Sequence, residues 1–98
     1  MNNFSDIISR AKQMQEKMKE VQESLKKIEV IGVSGGDSVK VTLTGDYEMK
    51  SIIVDENTKK EKDEIINDLI VAAYNDAKEK LKKKTSEEFS KATGTTNL

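Results

Sequence analysis

The chain has 98 residues, which is enough for one small domain with a single core. Its 17 basic and 18 acidic side chains give a formal net charge of −1, so a nucleic-acid partner would be held by local clusters of cations rather than by an overall basic charge. The absence of His and Cys excludes disulfides, zinc sites built on thiolate or imidazole, and Ser-His or Cys-His nucleophiles. We therefore expect that the protein is not an enzyme and that it binds no metal, no cofactor and no small-molecule substrate.

No stretch of the sequence is apolar for long enough to cross a membrane. The longest apolar run, residues 69–74, is bounded by Asp68 and Asn75. Residues 1–6 carry no basic segment followed by an apolar run, which is the pattern of a secretory signal. We expect a cytoplasmic protein with no membrane partner.

A heptad pattern predicts a long helix over residues 4–28. Its apolar positions alternate in steps of three and four residues. They are Phe4, Ile7, Ala11, Met14, Met18, Val21, Leu25 and Ile28. A helix of this length spans roughly 37 Å, more than the ~30 Å diameter of a compact domain of this size. We expect part of the stripe to pack on a second copy of the chain, through Met14, Met18, Val21 and Leu25. The alternative is that the stripe packs entirely within its own chain.

The middle of the chain changes to the two-residue period of strands. Residues 29–33 and 38–44 predict two strands, separated by the glycine-containing turn at residues 34–37. Residues 47–55 predict a third strand, in which the apolar positions change from odd to even numbers. That change predicts a β-bulge near Lys50-Ser51. Three short strands in succession indicate an antiparallel meander.

Residues 56–90 return to a helical period. Thr58 and Glu61 have the spacing of a capping box, and the adjacent acids nearby are typical of a helix start rather than of a metal site. The apolar stripe runs from Ile65 to Leu81 and then stops, so the last part of this helix has little core to pack on.

The chain has no repeat and no domain linker. We therefore interpret residues 1–91 as a single domain. Residues 92–98 are polar apart from their ends, and they predict a flexible tail.

Two groups of cations are candidates for contact with DNA phosphates. The group on the second helix follows the end of the apolar stripe and consists of Lys82, Lys83 and Lys84. The group on the first helix consists of Arg10, Lys12, Lys17 and Lys19. The alternative interpretation is that both groups are only solvated helix surface. Glutamates lie among the cations of the first helix and can pair with them. The lysines of the second helix lie towards its C-terminal end, which cations favour.

Three segments carry a resemblance to a known family. The first is residues 12–28, and the second is residues 29–42, which include Glu29-Val30-Ile31-Gly32-Val33. The third is the segment Asp68-Leu69-Ile70-Val71-Ala72-Ala73-Tyr74-Asn75-Asp76-Ala77. In this order and spacing they resemble the N-terminal helix, the first hairpin and the most recognisable stretch of the YbaB/EbfC family of bacterial nucleoid-associated proteins. The Gly/Met-rich tail with which members of that family often end has no counterpart in residues 92–98.

The resemblance implies an α+β fold: a helix, a three-stranded antiparallel meander and a second helix, with long helices projecting like tweezers from a homodimer. It also implies binding of duplex DNA with little sequence preference, in the nucleoid of a bacterial cytoplasm. It further implies a link to chromosome organisation, replication or recombination. The alternative function is a chaperone-like, protein-binding module similar to prefoldin subunits, with Met14 and Met18 on an adaptable apolar surface. Salt distinguishes the two, because phosphate binding weakens steeply with salt.

Overall fold

The computed structural model describes residues 3–93 of the chain. The elements in chain order are helix α1 (Asn3–Lys27), strands β1 (Glu29–Ser34), β2 (Val39–Thr44) and β3 (Met49–Val54), one 3-10 turn (Thr58–Lys60), and helix α2 (Asp63–Thr93). The strands pair antiparallel in the order β1-β2-β3. The predicted α+β fold with a three-stranded meander is therefore confirmed. Residues 94–98, which form most of the predicted tail, lie outside the described residues.

The bulge in β3 lies where the sequence predicts it. Thr42 pairs with Ser51, whereas the next residue of β2, Leu43, pairs with Met49, so Lys50 is the extra residue. An extra residue shifts the side chains that follow it to the other face of the sheet. Ile52 and Val54 consequently share the face on which Met49 lies.

The turn between β2 and β3 is longer than predicted, because β3 begins at Met49 rather than at Tyr47. Tyr47 has a φ of 64°, and its N–H donates to the carbonyl of Thr44 at 2.9 Å. This left-handed conformation closes a tight hairpin turn and takes Tyr47 out of the strand.

Helix α2 begins at Asp63, and the predicted capping box does not form. Thr58 is only 7% exposed and starts the 3-10 turn, and Glu61 is extended. Asp55 bonds the start of the 3-10 turn instead: its Oδ1 accepts a hydrogen bond from the Thr58 N–H at 2.8 Å. Hydrogen bonds from Thr58 stabilise the charged form of Asp55 and lower the pKa of that carboxyl. Because this turn occupies Thr58–Lys60, α2 begins only at Asp63.

The core lies between α2 and one face of the sheet. Alternate residues of the central strand β2 face α2 and are buried. The buried apolar side chains are Ile28, Val39, Val41, Leu43, Ala73, Ala77 and Leu81. Leu81 is the last of these along α2, so the helix continues beyond the core to Thr93.

Gly32 on β1 sets the position of α2 over the sheet. A Cβ atom at this residue would lie 2.1 Å from the carbonyl oxygen of Ala73 and 2.3 Å from the backbone N of Ala77. The helix can therefore cross β1 at this distance only because residue 32 has no side chain. Helix α2 packs mainly on β1 and β2, and Met49 and Ile52 on the same face of β3 stay more than 40% exposed, whereas Val54 packs against the core.

Side chains of α2 also occupy the outer edge of β1. The Val33 N–H donates to Oδ2 of Asp76 at 2.9 Å, and Nζ of Lys80 donates to the Ile31 carbonyl at 3.0 Å. Asp76 and Lys80 form an ion pair with each other at 2.9 Å. We call this pair the β1 clamp. It satisfies backbone groups that an edge strand would otherwise offer to another strand.

Helix α1 projects from the domain, and none of its residues is buried. Phe4 is 76% exposed and Met14 is 69% exposed, whereas Val21 and Leu25, nearer the sheet, are half-buried. The chain measures 72 × 26 × 18 Å, and its radius of gyration of 19.6 Å far exceeds the about 13 Å of a compact domain. Most of the apolar stripe predicted on this helix is thus uncovered within one chain.

We expect Gly32→Ala to lower the free energy of unfolding by about 3 kcal/mol or more, because the added Cβ would overlap backbone atoms of α2 that cannot move independently. Urea denaturation followed by circular dichroism measures this loss. Gly36→Ala is the control: Gly36 has a φ of 61° and open space around it, so the substitution adds backbone strain of only about 1–2 kcal/mol. Equal losses in the two variants would contradict a close crossing at Gly32.

Candidate nucleic-acid interface

The three lysines that follow the core on α2 spread around much of the helix. Consecutive residues of an α-helix are separated by about 100°, so Lys82, Lys83 and Lys84 point in three directions. All three side chains are exposed, because α2 has passed the sheet at Leu81. We call this group the α2 lysine ring. It covers about 200° of the helix circumference and leaves uncovered the side on which Leu81 lies.

A groove of 670 Å³ separates the end of α2 from the C-terminal half of α1. Its apolar lining comes from Val21 and Leu25 of α1 and from Phe89 of α2. Lys82 and Lys91 line the same groove. One member of the α2 lysine ring therefore faces α1, and the two projecting helices enclose a space with both apolar and cationic groups.

The four candidate cations of α1 divide into two pairs. Arg10 and Lys17 are seven residues apart and lie on one side of the helix, and Lys12 and Lys19 have the same spacing on the other side, about 160° away. All four are exposed. The apolar stripe runs between the two pairs. A single duplex lying along α1 therefore meets one pair.

None of the seven candidate cations forms an ion pair within residues 3–93. The ion pairs of this part of the chain are Lys50–Glu29, Lys59–Glu56 and Lys80–Asp76. The glutamates among the α1 cations therefore leave those cations free, although their spacing on the helix would permit pairing. Free ammonium and guanidinium groups are the donors that phosphate oxygens require.

Lys80 differs from its neighbours in the lysine-rich segment 78–84. It belongs to the β1 clamp, since it bonds both the Ile31 carbonyl and the carboxylate of Asp76. The Val33 N–H and Lys80 together lower the pKa of Asp76 below its ordinary value of 3.8, because both stabilise the charged carboxylate. The number of lysines in residues 78–84 cannot by itself distinguish Lys80, which bonds β1, from the lysines without ion pairs.

The aromatic side chains and the acids do not form a second site. Tyr74 is half-buried and packs against the core, whereas Tyr47 is exposed at the hairpin turn. Within the described residues, no group of three or more Asp and Glu side chains lies close enough together to hold a metal ion. The helices of residues 3–93 are all too short or too polar to cross a membrane.

Comparison with known proteins gives consistent matches over nearly the whole chain. The model of the YbaB/EbfC DNA-binding family matches residues 1–96. A nucleoid-associated protein of Coxiella burnetii is 41% identical over 90 residues, which cover 92% of this chain and 82% of that protein. One of Afipia carboxidovorans is 40% identical over 95 residues, which cover 96% and 90%. A crystal structure of an uncharacterized protein from Helicobacter pylori has the same fold, with a TM-score of 0.75 and 21% identity over 87% of this chain and 90% of that one.

We expect Asp76→Asn to destabilise the fold at pH 7 by about 0.5–1 kcal/mol, because the pair it breaks is more than one-third exposed and screened by solvent. The pKa of Asp76 is depressed in the folded state, so its contribution is present above the unfolded value of 3.8 and disappears as the pH falls through the folded value. The stability difference between wild type and variant should therefore shrink below about pH 4. Urea denaturation at a series of pH values measures it, and a difference independent of pH would contradict the charged clamp.

Proposed function

This chain belongs to the YbaB/EbfC DNA-binding family, and on that premise we propose that it is a nucleoid-associated protein that binds duplex DNA as a homodimer through the phosphate backbone. Its curated relatives are named nucleoid-associated proteins. Contacts with phosphates carry no sequence information, so binding of this kind has little sequence preference. Such a protein acts in the nucleoid of the bacterial cytoplasm, in chromosome organisation, replication or recombination.

The observation that carries this proposal is the α2 lysine ring. It consists of three exposed cations without ion pairs, on a helix segment that contributes nothing to the core. Residues 31–64 carry eight acidic and five basic side chains, and they lie in the sheet, the segment before α2 and its first turn. Charges further apart than about 8–10 Å are largely screened at physiological salt. The ring therefore acts on a nearby phosphate as a local cation cluster, with Arg10, Lys12, Lys17 and Lys19 in support.

The homodimer is supported by the apolar stripe of α1. In a monomer, Phe4, Ile7, Met14 and Met18 all remain at least 60% exposed, and burying such a side chain contributes about 1.5–3 kcal/mol. We assign a contact with a second copy to Met14, Met18, Val21 and Leu25. Twofold symmetry presents the α2 lysine ring twice, so about six phosphates are within the capacity of one dimer.

A second candidate function is a chaperone-like, protein-binding module. The observation that favours it is the same uncovered stripe, in which Met14 and Met18 offer flexible, polarizable side chains to apolar clients. Burial of apolar surface is not weakened by salt in the way that phosphate contacts are. Salt dependence of binding therefore separates the two functions.

The first test is a salt titration of duplex binding by fluorescence anisotropy. We expect dissociation constants of about 10⁻⁴–10⁻⁶ M near physiological salt and a slope of log affinity against log salt of about −5, because about six phosphates are neutralised. Replacing Lys82, Lys83 and Lys84 together by Gln should weaken binding at least about tenfold at low salt and flatten the slope. Duplexes of unrelated sequence should be affected alike.

A matched triple variant controls for net charge in that titration. Lys59, Lys60 and Lys62 lie in and just after the 3-10 turn, and their replacement by Gln changes the net charge by the same amount. We expect this variant to bind as wild type does. Equal weakening by both triple variants would refute a specific role for the α2 lysine ring, and wild-type binding that did not change with salt would favour the protein-binding function.

The second test concerns the homodimer. We expect a mass of about twice 11.0 kDa at micromolar concentration by light scattering. Met14→Asp with Met18→Asp should raise the dimer dissociation constant at least about tenfold without lowering the stability of the monomer, because both residues are exposed within one chain. Val21 and Leu25 are less informative positions, since they are half-buried in their own chain. A wild-type mass near 11 kDa at all concentrations would refute the homodimer.

A further inference from the structure

Ser86 lies one turn beyond the α2 lysine ring, at an angle between two of its members. At about 100° per residue, Ser86 is about 40° around the helix axis from Lys82 and about 60° from Lys83. These three side chains and Glu87 line an open notch of 410 Å³. Residues three and four positions apart on a helix are neighbours, so a group added to the Ser86 hydroxyl comes within reach of both ammonium groups.

The hydroxyl of Ser86 is accessible, whereas the hydroxyl of its neighbour Thr85 is engaged. Thr85 is half-buried, and its Oγ1 donates to the Leu81 carbonyl at 2.9 Å. Ser86 is exposed, and its hydroxyl has no hydrogen-bond partner within residues 3–93. Hydroxyl side chains inside a helix often bond the carbonyl four residues earlier, as Thr85 does. The Ser86 oxygen is therefore available to an incoming reagent.

The sequence before Ser86 has the charge pattern of a kinase substrate. Ser86 is the serine of this chain that has lysines three and two residues before it, Lys83 and Lys84. A protein kinase with acidic groups in its substrate cleft selects its acceptor by cations at such positions. Thr85 follows lysines in the same way, but its hydroxyl is held by the helix backbone.

The helix segment around Ser86 can open locally and enter an enzyme cleft without loss of the core. The last core residue of α2 is Leu81, and none of residues 82–91 is buried. Phe89 is 64% exposed, so it adds little packing. Local opening of a segment with few buried apolar contacts costs much less free energy than global unfolding.

We propose that Ser86 is a phosphorylation site and that a phosphate on it occupies Lys82 and Lys83 and so weakens DNA binding. The inference rests on the proposed function and names its regulation. Oγ of Ser86 attacks the γ-phosphorus of magnesium-bound ATP in a kinase, and the bond from that phosphorus to the bridging oxygen breaks. ADP leaves with the electron pair, and the hydroxyl proton passes to a carboxylate of the kinase.

The charge of the phosphate is large enough to cancel most of the α2 lysine ring. Phosphoserine carries about −1.5 to −2 charges at pH 7 and three strong acceptor oxygens, so the formal charge of +3 on the three lysines falls to about +1. Lys84 lies about 160° around the helix from Ser86 and stays free. The proposed dimer then neutralises about two DNA phosphates instead of about six.

The first experiment tests the site and does not depend on DNA. The full chain is incubated with MgATP and the catalytic subunit of the cyclic-AMP-dependent protein kinase, which selects serines that follow basic residues, and the product is mapped by peptide mass spectrometry. We expect one phosphoryl group, on Ser86. Ser86→Ala should abolish it, and Lys83→Gln with Lys84→Gln should slow it at least about tenfold. Phosphate on Thr85 in place of Ser86, or no incorporation, overturns the site.

The second experiment tests the effect on DNA binding. Phosphoserine is incorporated at residue 86 during synthesis, and duplex binding is measured by fluorescence anisotropy over a series of salt concentrations. We expect the dissociation constant at low salt to rise at least about tenfold. The slope of log affinity against log salt should fall from about −5 to about −2, because about two phosphates are neutralised.

Asn57→phosphoserine is the matched control for charge. Asn57 is exposed, its side chain makes no capping hydrogen bond, and it precedes α2. The α2 lysine ring begins roughly 28 Å along the helix from its first residue, Asp63. We expect this control to bind as wild type does, and Ser86→Ala to do the same because its hydroxyl makes no bond to lose.

The outcomes separate this inference from the proposed function. Phosphoserine at residue 86 that leaves affinity and slope unchanged overturns the regulation, and so does an equal loss from the control at residue 57. Wild-type binding that is absent or does not change with salt refutes the proposed function, and the regulation falls with it. The kinase reaction at Ser86 is measured by mass in either case, so the phosphorylation site stands or falls separately.

Discussion

The crossing of α2 over β1 at Gly32 is the contact on which the exposed surfaces of this protein depend. Because residue 32 has no Cβ, the backbone of α2 at Ala73 and Ala77 rests directly on β1. This brings Asp76 and Lys80 to the outer edge of that strand, where they bond its backbone. A helix placed over β1 and β2 leaves Met49 and Ile52 of β3 more than 40% exposed. The same contact therefore closes one edge of the sheet and leaves the other open.

The surfaces left uncovered are of two chemical kinds. The α1 stripe and the β3 edge are apolar, and a chain of this size has too small a core to cover them itself. The α2 lysine ring is cationic, and it lies beyond the last buried residue, Leu81, where the helix has no further packing role. Apolar surfaces suit self-association and the lysine ring suits a polyanion. The chain thus separates the groups that we propose join two copies from the groups that we propose contact DNA.

A net charge of −1 is compatible with DNA binding because the molecule is long. Its greatest dimension of 72 Å is several times the Debye length of about 8–10 Å at physiological salt. A phosphate beside the α2 lysine ring is therefore affected by Lys82, Lys83 and Lys84 and hardly by the acids of the sheet region. The net charge adds up charges that are too far apart to act on the same phosphate. It is therefore a poor guide to whether this chain can bind DNA.

The sequence by itself determined the elements, because their periodicities depend on neighbouring residues only. The heptads of α1, the alternation in β2 and the change of parity at Lys50 each follow from local geometry, and so does the end of the apolar stripe at Leu81. Only the tertiary structure decided which elements cover one another. The role of Lys80 depends on its distance from Ile31, 49 residues earlier in the chain. The exposure of Ile52 and Ile53 depends on where α2 crosses the sheet, and that position is set by a missing Cβ at Gly32, which no local pattern reveals.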